Sequence, residues 1–150
     1  MPSTTQDLRT DRSLRAALLL YLVASLTHFS HNARYLDNYP NLPAWISSGS
    51  IYLIWLGLTI VGCSGYLLFR RHQTNIGLAM LGAYAAGGIA GLLHYTRAPF
   101  AAHSAEMNFT ILFESAAAVA LIGVVAVAAI RRRRLAQTSS AERIRRPPTA

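Results

Sequence analysis

The sequence predicts an all-α protein, a four-helix transmembrane bundle, and three observations lead to this fold class. Hydrophobic residues make up 53% of the chain and charged residues only 13%, against about 25% charged in soluble domains. Four apolar segments come close to the ~20 residues that a helix needs to cross a bilayer. Arginines gather beside alternate connections, as they do in membrane proteins of fixed orientation. The 150 residues fit one domain.

The predicted helices cover residues 14–30, 50–69, 76–95 and 108–130. The third carries small residues at every fourth position, namely Ala79, Ala83, Gly87 and Gly91. Because small residues let helix backbones approach closely in lipid, we expect this face to pack inside the bundle. A dimer interface is the other structure that such a pattern indicates.

The ends of the chain differ in composition from the membrane domain, residues 14–134. Residues 1–13 are polar and are predicted to form a cytoplasmic tail, whereas residues 135–150 are basic and are predicted to be disordered. A cleaved signal peptide is the alternative interpretation of the first helix. Against it, Leu22 fits poorly at the small-residue position three before a cut after Ala24.

The arginines predict the orientation. Most of them lie at the start of the first helix, in the connection between the second and third helices, and after the fourth. They are Arg9, Arg12, Arg15, Arg70, Arg71 and Arg131 to Arg134. The other two connections hold one arginine each, Arg34 and Arg97. Because cytoplasmic flanks carry the excess of positive charge, we expect both termini in the cytoplasm and the protein in a bacterial-type inner membrane.

The net charge of +8 is assigned to the membrane rather than to nucleic acid, because the arginines lie at helix ends and in the tails. The run Arg131 to Arg134 is expected to attract anionic membrane lipids. A second copy of the chain or a partner membrane subunit is the other expected partner.

Cys63 is the only cysteine, so the chain has no internal disulfide. Phosphate-binding glycine loops and Cys-x-x-Cys motifs are absent from the sequence.

Glu114 is a lone carboxylate inside the fourth apolar segment, seventeen residues before Arg131. An ionisable residue at such a depth is expensive and is a functional-site hypothesis by default. From the helical rise it lies about 25 Å above Arg131, while His28 and His94 reach about 20 Å and 27 Å above the cytoplasmic ends of their helices. In a hydrocarbon layer of about 30 Å, all three lie in the outer third.

Helical phase groups these polar residues further. His28, His31 and Asn32 are spaced i, i+3, i+4 and share one face of the first helix. If the fourth helix begins soon after Pro99, a second stripe, with Asn108 beside it, consists of His103, Met107, Thr110 and Glu114. The outer connection around residues 35–45, with its prolines and asparagines, is long enough to fold over this end as a cap.

The first function hypothesis is a metal or haem site. Imidazole suits copper, iron and zinc, a carboxylate favours iron or zinc, and two facing histidines can hold a haem. The predicted metal ligands are His28, His31, His94, His103 and Glu114, and the residues predicted to bind a cofactor are His31, His94, Asn32 and Asn108. No spacing in the sequence matches a strong metal signature such as His-Glu-x-x-His.

Two other hypotheses come from different classes. In the second, Glu114 and His28 are catalytic residues of a membrane enzyme, of isomerase or hydrolase type, that does acid–base chemistry on a lipophilic substrate. In the third, the protein is a scaffold or accessory subunit, and Glu114 pairs with a histidine or an arginine to hold the bundle together.

Overall fold

The computed structural model describes residues 5–145; residues 1–4 and 146–150 lie outside it. Every regular element in the described part is helical, and no strand occurs there. Four of the helices are long, and a single turn, α4, lies between the last two. The elements are α1 (Thr5–Arg34), α2 (Ser48–Arg70), α3 (Thr74–Ile89), α4 (His94–Arg97) and α5 (Ala105–Arg145).

Four helical stretches are long and apolar enough to cross a membrane, which confirms the predicted number of spans. They are Leu8–Arg34, Ser48–Arg70, Thr74–Arg97 and Ala105–Thr138. Each predicted span lies within one of them. The third stretch includes α3, a 3-10 segment at Ala90–Leu93 and α4, so this crossing is not a single regular helix.

The last helix is longer than the composition predicts. α5 continues to Arg145, so that residues 135–145, predicted as part of a disordered tail, are helical. Neither glycine nor proline occurs between Gly123 and Pro147, and most residues of that stretch are good helix formers. The rest of the predicted tail, residues 146–150, lies outside the described residues.

The four long helices form a ring in chain order, with α1 against α2, α2 against α3, α3 against α5 and α5 against α1. The short turn between α2 and α3 makes these two helices antiparallel neighbours. One end of the bundle, which we call the arginine end, carries Arg70, Arg71 and Arg131 to Arg134. The opposite end, the histidine end, carries the close of α1, the start of α2, α4 and the start of α5.

The core between the middle of the bundle and the arginine end is apolar and tightly packed. Tyr21 and Tyr84 lie at its centre with ring centroids 4.6 Å apart, and the Tyr21 hydroxyl donates to the Tyr84 carbonyl oxygen at 3.2 Å. Fully buried aliphatic side chains surround them, including Leu14, Leu81 and Leu121. Burial of such side chains stabilises the bundle by packing rather than by polar contacts.

Glycines bring α2 and α3 together. A Cβ atom built on Gly77 would lie 2.6 Å from the Gly65 carbonyl oxygen, so neither helix could keep its position with a larger residue there. The predicted small-residue face is therefore wrong in part, because Ala79 and Ala83 are exposed while Gly77 makes the close approach. Gly91 of the predicted set does face the interior, next to Glu114.

Candidate functional site

Polar side chains are concentrated inside the histidine end. The last turns of α1 contribute His28 and Asn32, and the first turns of α5 contribute Thr110 and Glu114. All four are buried, and Glu114 exposes only 1% of its surface. The predicted convergence of polar residues from the first and fourth spans is therefore present in the structure.

A His–Glu pair forms the centre of the site. His28 Nε2 lies 3.6 Å from Glu114 Oε2, and the two side chains are almost completely enclosed. This separation is slightly longer than a hydrogen bond. A small movement of either side chain brings the two atoms into hydrogen-bonding range.

Thr110 and Asn32 fix the orientation of the His28 ring. The Thr110 hydroxyl donates to the Met107 carbonyl oxygen at 3.0 Å, which leaves its oxygen as the acceptor for His28 Nδ1 at 3.4 Å. Nδ1 therefore carries the ring proton in the neutral ring, and Nε2 presents its lone pair. Asn32 Nδ2 donates to Nε2 at 3.1 Å, from one helical turn further along α1.

The proton of the pair has two positions that the geometry accommodates. When it lies on Glu114 Oε2, the carboxyl group can donate to the lone pair of His28 Nε2 in place of the Asn32 amide. When it lies on Nε2, an imidazolium faces a carboxylate and its Nδ1–H still donates to Thr110. Proton transfer between the two residues therefore keeps the hydrogen bond to Thr110 and requires Asn32 Nδ2 to release Nε2.

Gly91 makes room for the carboxyl group of Glu114. A Cβ atom built at Gly91 would lie 3.2 Å from Glu114 Oε2 and 3.9 Å from Ser115 Oγ. Contacts at 3.2 Å are tighter than ordinary van der Waals packing, so a side chain here would displace the carboxyl group. The 3-10 segment Ala90–Leu93, which contains Gly91, carries the backbone past the site at close range.

His94 lies next to the pair and connects it with the rest of the histidine end. Its ring centroid is 5.4 Å from that of His28, 5.1 Å from that of Tyr39 and 6.3 Å from that of His103. The side chain is half-buried, so it borders both the enclosed pair and the surface. His94 follows the 3-10 segment directly and begins α4.

The connection between α1 and α2 covers the site, as its length predicts. Tyr39 is 4% exposed, and its hydroxyl lies 2.7 Å from His31 Nδ1. Burial raises the pKa of Tyr39 to about 12, so the phenol keeps its proton at neutral pH and can donate to His31. Asn41 and Arg97 bind each other's backbone carbonyl groups at 2.9 Å and 3.3 Å, which ties this connection to the end of α4.

His103 precedes α5 instead of lying on it, which corrects the predicted stripe. α5 begins at Ala105, where the Ser104 side chain accepts from the Met107 backbone N–H at 3.3 Å. His103 is nevertheless 6% exposed, and its Nδ1 lies 3.1 Å from the Pro99 carbonyl oxygen. The ring thus enters the site from the loop.

Asn108 holds that loop in place. Its Nδ2 donates to the carbonyl oxygens of Phe100 and His103, both at 3.2 Å, and its Oδ1 accepts from the Tyr95 hydroxyl at 2.9 Å. Both N–H groups of the amide and its oxygen are therefore used within the protein. Asn108, predicted to bind a cofactor, has a structural role in this arrangement.

Three polar atoms of the site are buried without a partner. In the described part of the chain, five buried side-chain atoms lack a hydrogen bond, and three of them belong to this end: Asn32 Oδ1, His103 Nε2 and Glu114 Oε1. Buried polar groups are nearly always satisfied, so a concentration of exceptions indicates a place where a polar group of a ligand or water binds. The other two, on Thr59 and Tyr84, lie deeper in the bundle.

The predicted metal ligands are near one another but are not arranged as a metal site. Among the side chains that the structure describes, residues 8–138, no group of three or more His, Cys, Asp or Glu could hold a metal ion. His31 turns toward Tyr39, away from the other predicted ligands. In this arrangement the five predicted ligands therefore do not form a metal site, and haem stays a prediction.

Three contributors to the site are absent from the predicted site residues. Gly91, which the spacing assigns to helix packing, borders the carboxyl group of Glu114. Thr110 contacts the His28 ring, and Tyr39 contacts His31. Only the spacing of Thr110 and Glu114, four residues apart on α5, gave a signal from the sequence.

No family model, curated protein or solved structure matches this chain. Its function is therefore inferred from the chemistry of the site.

Proposed function

We propose that the protein is a membrane enzyme of acid–base type, in which Glu114 and His28 exchange protons with a lipophilic substrate. The observation that carries this proposal is the 3.6 Å approach of His28 Nε2 to Glu114 Oε2 inside the bundle. The two residues come from different helices, and Thr110 and Asn32 orient the imidazole ring. A positioned acid and a positioned base are the minimum that such catalysis requires.

An isomerisation is the simplest reaction for this pair because it needs no second substrate. Glu114 donates a proton to one carbon of the substrate while His28 Nε2 removes a proton from another, so that a double bond moves. The proton on His28 then crosses to the Glu114 carboxylate, which restores both groups. The short distance between them supports this last step, since no water has to carry the proton.

The unpartnered atoms of the site fit the polar group of such a substrate. A hydroxyl group can donate to His103 Nε2 or Asn32 Oδ1, neither of which has a partner within the described residues. The remainder of a lipophilic molecule would lie against the aromatic rings of Tyr39 and Tyr95. Ligand sites commonly combine an apolar wall with a few polar groups in this manner.

The proposal includes an orientation. The arginine end belongs in the cytoplasm of a cell with an inner membrane, with both termini there, because the arginines at this end outnumber those at the other. The test is labelling in intact cells of single cysteines at Asn38 and at Gln73, in a Cys63→Ser background. A membrane-impermeant maleimide should label position 38 alone, and labelling of position 73 alone would reverse the orientation.

The activity is tested by comparing lipid extracts of cells that produce the protein with extracts of cells that produce variants. The wild type should convert one lipid species into another of identical mass, detected by chromatography and mass spectrometry. Glu114→Gln and His28→Gln should each abolish the conversion, because one lacks the acid and the other the base. Glu114→Gln should still fold, with a melting temperature close to or above that of the wild type, since a neutral amide of similar shape replaces a buried acid.

Glu106→Gln is the matched control, since Glu106 lies on the same helix, is exposed and accepts from the nearby Ser104 hydroxyl. It should leave the conversion intact. Extracts from Glu114→Gln cells that match the wild type would overturn the proposal. If Glu114→Gln unfolds, the carboxyl group is structural, and the third hypothesis, a scaffold, takes the place of the enzyme.

The metal or haem hypothesis stays a prediction, and the same purified protein tests it. Elemental analysis at one copper, iron or zinc per chain, lost in a His28→Ala, His94→Ala double variant, would establish a metal. A Soret absorption band would establish haem. Either result would make metal or haem binding the function of this site, in place of acid–base chemistry carried out by side chains alone.

A further inference from the structure

A groove lies at the other end of the molecule, between α1 and α5. Its volume is about 290 Å³, close to the lower limit for cavities that hold small ligands. Valine, alanine and glycine line its upper part, and two hydroxyl groups and a guanidinium line its lower part. The lining includes Thr10, Ser13, Gly123, Val124, Val127 and Arg131.

The groove runs lengthwise from the arginine end toward the middle of the bundle. Between Ala120 and Arg131 it follows α5 for about 16 Å, from the helical rise. Arg131 stands at the end of the apolar stretch, where the headgroups of a bilayer begin. The polar lining therefore lies toward the arginine end and the apolar lining toward the middle of the bundle. The headgroup and the acyl chains of a phospholipid are arranged in the same order.

The charge of the lower part is positive and is not neutralised by the nearby acid. Arg131 begins a run of four exposed arginines. Asp11, on the first turns of α1, turns away toward α2, where its carboxylate lies 3.6 Å from Arg70 and accepts from the Tyr66 hydroxyl at 2.9 Å. Among the side chains of residues 8–138, which are the ones that the structure describes, no ion pair involves Arg131.

We propose that this groove binds one anionic phospholipid of the surrounding leaflet. The guanidinium of Arg131 holds the phosphate, with the hydroxyl group of Ser13 as a further donor. One acyl chain lies along Gly123, Val124 and Val127. Gly123 provides the space, since no atom lies within 4 Å of where its Cβ would be. The site is independent of the His–Glu pair, which lies at the opposite end of the bundle.

Native mass spectrometry of the full-length protein in detergent tests the proposal. The probes are phosphatidylglycerol and phosphatidylcholine with identical acyl chains, added in equal amounts. The wild type should retain a single phosphatidylglycerol in preference to phosphatidylcholine. Arg131→Gln should weaken phosphatidylglycerol binding about fivefold, as expected for one arginine beside a phosphate.

Arg134→Gln is the control for general surface charge, because it removes the same charge from the same exposed run but does not line the groove. It should change the binding less than twofold. Equal losses in Arg131→Gln and Arg134→Gln would show that the arginines attract lipid only as a charged surface, and would overturn the site.

Gly123→Phe tests the acyl chain. It should fill the groove and abolish retention of the lipid, while the protein stays folded because the space is open. Gly82→Phe is its matched control: Gly82 also has no atom within 4 Å of its Cβ position, and both glycines lie about 12 Å from the arginine end. Retention of phosphatidylglycerol by Gly123→Phe at the wild-type level would contradict a groove site.

Discussion

The two ends of the bundle differ in what holds the helices together. At the histidine end, polar contacts such as His28 with Thr110 and Asn108 with the loop backbone connect α1, α4 and α5. From the middle to the arginine end, aliphatic side chains, two tyrosine rings and close glycine contacts do so. Apolar packing has no directional requirement, whereas each polar contact at the histidine end fixes the orientation of one side chain.

Under the proposed function, chemistry belongs to the histidine end, while the rest of the bundle supplies stability. Close packing supplies cohesion in lipid, where the hydrophobic effect does not drive helices together. The histidine end instead contains buried polar groups, three atoms of which have no partner among the described residues. We therefore expect substitutions in the glycine contacts to unfold the protein and substitutions at the histidine end to disorder the site while the bundle persists.

The largest effect is expected from Gly77→Ala, which tests the glycine contacts. The added Cβ would meet backbone atoms of Gly65 and Phe69 that cannot rotate away, so α2 and α3 must separate. We expect a loss of about 2–3 kcal/mol in the free energy of unfolding, measured by denaturant titration in detergent. Gly82→Ala has open space and should change stability by less than 1 kcal/mol, in the stabilising direction. Equal effects of both variants would remove the distinction between the two regions.

An intermediate effect is expected from Asn108→Ala, which removes two hydrogen bonds to the loop before α5 and one to Tyr95 of α4. The loss should be about 2 kcal/mol, because the freed carbonyl groups are partly buried. Hydrogen exchange should quicken at residues 98–104 and stay unchanged in α2 and α3. Asn38→Ala, at an exposed asparagine, is the control. Faster exchange throughout the bundle would show that the histidine end also supports the fold.

The smallest effect is expected from Tyr39→Phe, which keeps the ring against His94 and removes the hydroxyl that contacts His31 and interacts with Thr110. One hydrogen bond of this kind contributes about 1 kcal/mol. The nuclear magnetic resonance signal of the His31 ring should shift more than that of His28, which the hydroxyl reaches only through Thr110. Tyr35→Phe, whose ring also lies beside His31 but whose side chain is exposed, should shift neither signal strongly. A shift of the His28 signal alone would show that the connection between α1 and α2 acts directly on the His28–Glu114 pair.

The sequence was sufficient to predict the four spans because hydrophobic length is a property of the chain alone. The height of Glu114 and His28 followed from the helical rise, and their approach to 3.6 Å agrees with it. The small-residue face of α3 was predicted less well. Spacing shows which residues share a face, but not which face meets a neighbour, so Ala79 was assigned to the interior and Gly77 was overlooked.

The details of the site could not be predicted for a related reason. The partner of His31 is Tyr39, which lies in a connection whose path depends on tertiary contacts such as Asn41 with Arg97. His103 also reaches the interior from a loop, at an angle that helical periodicity does not describe. The arrangement of ring nitrogens, which argues against the predicted metal ligands, depends on hydrogen bonds that no spacing specifies.

The 3-10 segment Ala90–Leu93 determines where His94 comes to lie. A 3-10 helix turns by about 120° for each residue and an α-helix by about 100°, so four residues rotate the following turn by an additional ~80° and advance it by about 2 Å. The 3-10 geometry thereby turns the His94 ring toward His28. A related chain that kept every histidine, but restored regular α-helix over these four positions, would rotate this ring by nearly a quarter of a turn and separate it from the His28–Glu114 pair.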